Sequence, residues 1–230
     1  GRKENRNQIA GMRLRNHPLM VAALAGAAMV PGFAPFDYYP LPLLSLAVLI
    51  HLWRSAANPR DAALTGLIFG LTYFLGGVSW VYVSMHDIGG MPAWLAALLT
   101  LLLCAYMALF PAVTGWACRL LAIDSIPLTI AAAPALWALA EWLRGWLFTG
   151  FAWNPIATVW SEEMTPVGLP MIQVTTLVGT YGLSLFTVLA AAAPAILGTP
   201  FRERRTWAVA LAPTLLLAVF ADGGMLRLSN

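Results

Sequence analysis

Apolar residues fill long stretches of this chain, and polar ones gather in short clusters between them. Seven apolar runs stand out, over 19–33, 40–54, 62–84, 93–118, 127–147, 168–197 and 206–221. Runs of this length and purity predict helices that cross a bilayer, which takes about 20 residues per crossing. The first two are short for that. The stretch joining them, "PGFAPFDYYP", is itself apolar and broken by proline. It is expected to dip into the interface and complete both spans, and irregular backbone at that depth must be covered by protein. The expected fold is therefore all-α: a polytopic transmembrane helical bundle of about seven spans.

Composition strengthens this reading. Of 230 residues, 60% are hydrophobic and only 10% charged, with a mean hydropathy of +0.75. Soluble domains carry about 25% charged residues. The formal charge of +3 and pI near 9.1 do not point to nucleic acid, because the basic residues sit in short loops between apolar runs. There they report topology. Of the 13 basic residues, 11 fall on one side: Arg2, Lys3, Arg6, Arg13, Arg15, Arg54, Arg60, Arg119, Arg202, Arg204 and Arg205. Only Arg144 and Arg227 fall on the other. The excess places the N-terminus in the cytoplasm and, after seven crossings, the C-terminus in the periplasm. The organisation read from this is a basic cytoplasmic tail (1–18), a membrane domain (19–222) and the start of a periplasmic region (223–230). The first apolar run lacks a small-x-small cleavage site, so no cleavable signal peptide is expected. The sequence opens at Gly1 rather than Met, which reads as a fragment, an engineered chain or a processed product, with Met12 a candidate natural start.

Three segments then face outward: 34–40, 85–92 and 145–167. All are rich in aromatics, Gly and Pro. The third holds Trp146, Phe148, Phe151, Trp153 and Trp160 around Gly150 and Pro155. An interfacial aromatic belt explains one or two such rings. It does not explain so many costly features on one face, and such loops tend to carry function.

Within the spans, Ala22/Gly26 and Gly66/Gly70 are small-xxx-small pairs that let backbones approach. Glu141 and Arg144, three apart, are expected to pair near the outer surface. Cys104 and Cys118 lie fourteen positions apart in one run. On a single helix they are separated by about 21 Å, too far for a disulfide. Both read as packing residues. No metal-ligand spacing, nucleotide loop or nucleophile elbow is present, and no buried carboxylate chain suggests a proton relay. His86 and Asp87 are adjacent, which by itself does not make a catalytic dyad. No catalytic residue, metal or cofactor is expected within the chain.

Four blocks carry a resemblance: "FAPFDYYPLPLLSL" (33–46), "GVSWVYVSMHDIGGMP" (77–92), "EWLRGWLFTGFAWNP" (141–155) and "LPMIQVTTLVGTYGLSL" (169–185). Together, and in order, they resemble the membrane domain of bacterial apolipoprotein N-acyltransferase. The resemblance implies an inner-membrane enzyme that moves an acyl chain from a phospholipid to the α-amino group of a diacylglyceryl-cysteine on a lipoprotein. It also implies a nitrilase-like domain outside the membrane, with a Glu-Lys-Cys triad whose Cys forms a thioacyl intermediate. Cys104 and Cys118 match no triad position, and Lys3 is the only lysine. The expectation is a membrane part that is inactive alone. The pattern differs where Ala152 stands for the usual Pro and Ala157-Thr158 for the usual Gly-Tyr.

An enzyme of this kind must hold two lipids at the outer leaflet, and rigid rings wall such an entrance at low entropy cost. Trp153, Phe151, Asn154, Trp80, Tyr82 and Phe36 are the candidate portal residues. The expected partners are a phospholipid acyl donor, a diacylglyceryl lipoprotein acceptor and the bilayer. Two other readings remain open: an anchor for a polyprenyl-phosphate glycosyltransferase, and a small transporter.

Overall fold

The computed structural model describes residues 18–122, 126–161, 168–193, 215 and 218–225. Every regular element among them is helical. In chain order these are α1 (Pro18–Gly32), α2 (Pro40–Ser55), α3 (Pro59–Gly77) and α4 (Trp80–Val83). They are followed by α5 (Ala93–Ala122), α6 (Ile126–Arg144), α7 (Gly168–Ile172) and α8 (Thr175–Ala192). Residues 218–225 are helical as well.

Local chemistry sets the starts. Pro40 and Pro59 open α2 and α3, where the missing N–H has no partner to lose. Asn58 caps α3 by accepting the Asp61 N–H at 2.9 Å, and its amide donates to the Asp61 carboxylate at 2.9 Å. Prolines inside α5 (Pro111) and α6 (Pro134) are retained in otherwise continuous helices. Pro111 presses directly on Gly66 and Gly70 of α3. α3 and α5 thus meet backbone to backbone, the use expected of small residues four apart. The other expected pair behaves likewise, since Gly26 lies against the Phe69 carbonyl. The core grown around these contacts includes Leu46, Leu49, Ile50, Trp53, Phe69, Tyr73, Met107 and Leu183, all fully buried or nearly so.

α5 is apolar outward as well as inward: Trp94, Leu98, Leu102, Leu109, Val113 and Trp116 are all exposed. A helix apolar all round belongs in a core or a bilayer. Two helices are long and apolar enough to cross a membrane, Ala93–Leu121 and Thr175–Ala192. A third crossing results if α3 and the stretch Trp80–Ile88, bent 47° from it, count as one span.

Two of the expected runs are broken in the structure. The run 62–84 breaks after Gly77, and α4 carries on as a π-turn over Ser84–Ile88, so part of the expected 85–92 loop is helical. The run 168–197 divides into α7 and α8, with a further break at Gly179 (φ 71°, ψ 175°), a conformation open to glycine. The run 206–221 lies largely outside the described residues.

Candidate functional site

The segment after α6 is shaped by its glycines. Gly150 sits at φ 80°, and a Cβ there collides with the Gly145 carbonyl oxygen. No other residue fits both conditions. The turn sends the chain back along α6, where the Phe151 N–H donates to the Arg144 carbonyl at 2.9 Å. Asn154 takes a left-handed conformation (φ 50°), which Asn tolerates better than most residues. Its carbonyl accepts the Tyr73 hydroxyl at 2.8 Å, and its side-chain amide donates to the Gly77 carbonyl at 3.3 Å. A Cβ on Gly77 would meet that amide, so a side chain there would push it off the Gly77 carbonyl.

Further along, the Ile156 N–H donates to Glu141 Oε1 at 2.8 Å, and the Ala157 N–H donates to Ser184 Oγ at 3.2 Å. The Trp160 indole donates to Thr187 Oγ1 at 2.9 Å. Residues 150–155 are irregular and Ile156–Trp160 form a short 3-10 helix, and polar groups along both are fastened to α3, α6 and α8. Trp160, at 4% exposure, is a core residue and no part of an interfacial belt.

The expected surface ion pair of Glu141 and Arg144 is absent among the described residues. Helical spacing does put both on one face, but that face is the core, where they are 5% and 3% exposed. Each finds other company. Glu141 Oε1 accepts from the Trp137 indole (2.9 Å) as well as from Ile156, and the Arg144 guanidinium lies 5.0 Å over the Phe74 ring. Among the described residues, His86 Nε2 lies 3.8 Å from Asp87 Oδ1, and His86 Nδ1 contacts the Met91 carbonyl at 2.8 Å.

An open cavity of about 910 Å³ lies between this wall, the turn after α1, the α3–α4 break and the start of α8. Of the six residues singled out in the sequence, Phe36, Trp80, Trp153 and Asn154 line it. Trp80 and Trp153 meet with ring centroids 5.0 Å apart, joining two sides of the rim. Phe151 stands behind, its ring 6.3 Å from that of Trp153 and packed on the core. Tyr82 is off the cavity, with its ring 5.4 Å from His86.

The lining also includes hydroxyls that are not among the candidate portal residues: Ser79, Thr158, Ser161, Thr180 and Tyr181. Aromatic content is a visible pattern in the sequence, whereas hydroxyls scattered over three segments carry none. Among the described residues the lining holds no Asp, Glu, Lys, Arg or His. Such a surface suits an uncharged, largely apolar ligand with a few oxygens to hydrogen-bond. Cys104 and Cys118 are buried on α5 and do not line it, and no metal-binding cluster occurs among the described residues.

Residues 25–193, which contain α2 to α8, match the family described as apolipoprotein N-acyltransferase N-terminal domain. This chain belongs to that family. Among curated family relatives, the apolipoprotein N-acyltransferase of Nitrosomonas europaea is 47% identical over 75% of this chain and 34% of its own length. That of Methylococcus capsulatus is 45% identical over 74% of this chain and 33% of its own length. For Vibrio cholerae the identity is 35%, over 90% of this chain and 39% of the relative. The chain thus spans about a third of the length of the relatives it matches. All four sequence blocks that carried the resemblance lie inside the matched residues.

Proposed function

We propose that this chain is the membrane-embedded part of an apolipoprotein N-acyltransferase and that the cavity walled by Phe36, Trp80, Trp153 and Asn154 receives lipid at the outer leaflet. The single observation carrying this is the cavity itself. It is large, open, lined by rings and hydroxyls, and free of Asp, Glu, Lys, Arg and His among the described residues. A lipid's acyl chains and ester region match that lining, whereas an ion path needs buried charge. By family relationship the acyl donor is a phospholipid and the acceptor a diacylglyceryl lipoprotein. Both cysteines are buried away from the cavity, so we assign binding to these residues and the covalent step to none of them.

The same proposal includes seven spans in the bacterial inner membrane, a cytoplasmic basic tail and the aromatic segments facing the periplasm, on the strength of the 11-to-2 basic asymmetry. A reporter active only outside the cytoplasm is expected to work after Asn230 and to stay silent after Arg205. The reverse pattern overturns the orientation.

For the cavity, the chain in nanodiscs containing a phosphatidylethanolamine with a photoactivatable acyl chain is expected to crosslink at residues 33–36, 76–80 and 152–161. Crosslinks confined to the outward face of α5 would reduce the site to ordinary bilayer contact.

A further inference from the structure

Beneath the cavity wall is a second, much smaller space of about 20 Å³, bounded by Tyr73, Thr114, Glu141, Arg144 and Asn154 among others. That volume holds one water molecule. Two of its bounding side chains present polar atoms with no hydrogen-bond partner, Glu141 Oε2 and Arg144 Nε. Both residues are more than nine-tenths buried. Native proteins seldom leave such atoms unsatisfied, least of all on charged groups.

We propose that Glu141 is a positioning residue that seats the cavity wall, and that one water in this space joins its Oε2 to Arg144 Nε. The other carboxylate oxygen does the seating. It accepts the Trp137 indole from one turn earlier on α6 and the Ile156 backbone N–H from the wall, at 2.9 and 2.8 Å. One carboxyl oxygen therefore ties the helix to the loop. The tie is placed where the loop most needs it. Pro155 offers no N–H, so Ile156 has the first backbone donor after Asn154.

Arg144, three residues along the same helix, supplies the compensating charge without occupying the oxygen that holds the loop. The water lets the two charges communicate across a gap that excludes a direct pair. Trp153 and Asn154, the wall residues just before the tie, are then fixed relative to Trp80 and Gly77. The seating does not depend on what fills the cavity; its consequence for lipid capture rests on the function proposed above.

Hydrogen exchange of the chain in nanodiscs tests this directly. Glu141→Gln keeps an oxygen acceptor for both donors, so exchange in peptides covering 150–161 should stay within about threefold of the parent. Glu141→Ala removes it, and exchange there should rise about tenfold or more while α3 and α5 peptides stay protected. Arg144→Met strands the carboxylate and should also raise exchange in 150–161. Adding Glu141→Gln to Arg144→Met should bring it back down, because the stranded charge is gone.

Equal exchange in the Gln and Ala variants, no change in the Ala variant, or strictly additive effects in the double variant would overturn the proposal. If Glu141→Ala fails to accumulate, the Arg144→Met and double-variant pair decides alone. Photolipid capture by the parent chain is scored separately. A parent that captures none sinks the lipid reading and leaves the exchange result standing.

Discussion

Trp153→Ala is expected to lower photolipid capture in the cavity roughly 30- to 150-fold, with little change in thermal stability. A large indole offers on the order of 150–250 Å² of contact. If a bound lipid covers about half of it, the loss at about 25 cal/mol per Å² is roughly 2–3 kcal/mol. Trp153 is 49% exposed, so truncating it takes little from the core. It also removes one half of the Trp80–Trp153 contact at the rim.

The control is Trp116→Ala on α5, similarly exposed at 45% but remote from the cavity lining. Both variants delete a half-exposed indole from an apolar face. A belt role for Trp153 predicts equal, small effects from the two; a cavity role predicts the asymmetry. Trp153→Phe should recover part of the capture, because a ring still closes against Trp80. Equal losses in the two alanine variants, tracking equal losses of stability, would leave the belt as the whole explanation of that tryptophan.

Gly66→Val is expected to destabilise the chain by about 3 kcal/mol or more, the upper end of overpacking costs. Most overpacked sites relax by turning a side chain aside. Here the atoms in the way are the Pro111 carbonyl and the Ala112 Cα, all backbone. Relief requires α5 to move off α3, and α5 also packs on α2 and α6. At this chain length such a loss lowers the melting temperature by roughly 6–12 °C. Thermal unfolding in detergent, with Gly223→Val as the comparison, reads it out. Gly223 has open space where a Cβ would go, so that variant should melt close to the parent. A Gly66→Val protein as stable as the Gly223→Val one would mean the α3–α5 contact is looser than its geometry indicates.

How far the sequence carried can be judged from these same residues. Helix existence was legible, because apolar runs this long have few other solutions. Gly66/Gly70 and Ala22/Gly26 were legible as close-approach pairs, since the spacing of four is local helical geometry. Phe36, Trp80, Trp153 and Asn154 were legible as belonging together through the family resemblance of their blocks. The hydroxyls of Thr158, Thr180 and Tyr181 were not. Each is unremarkable in its own segment, and only the folded chain brings them around one space.

Glu141 and Arg144 mark the boundary most sharply. The sequence determined that they share a helix face, because a rise of about 1.5 Å and 3.6 residues per turn fix that without any neighbour. It also determined the helical character of the chain and the family to which it belongs. Which way that face turns was decided by tertiary structure. Packing of α6 against α5 and α8 rotates the pair inward, where a returning loop offers Ile156 N–H to the carboxylate. Periodicity ranks positions around an axis but sets no absolute direction when the whole helix is apolar. In such a helix the side that faces the protein is chosen by the neighbours it meets.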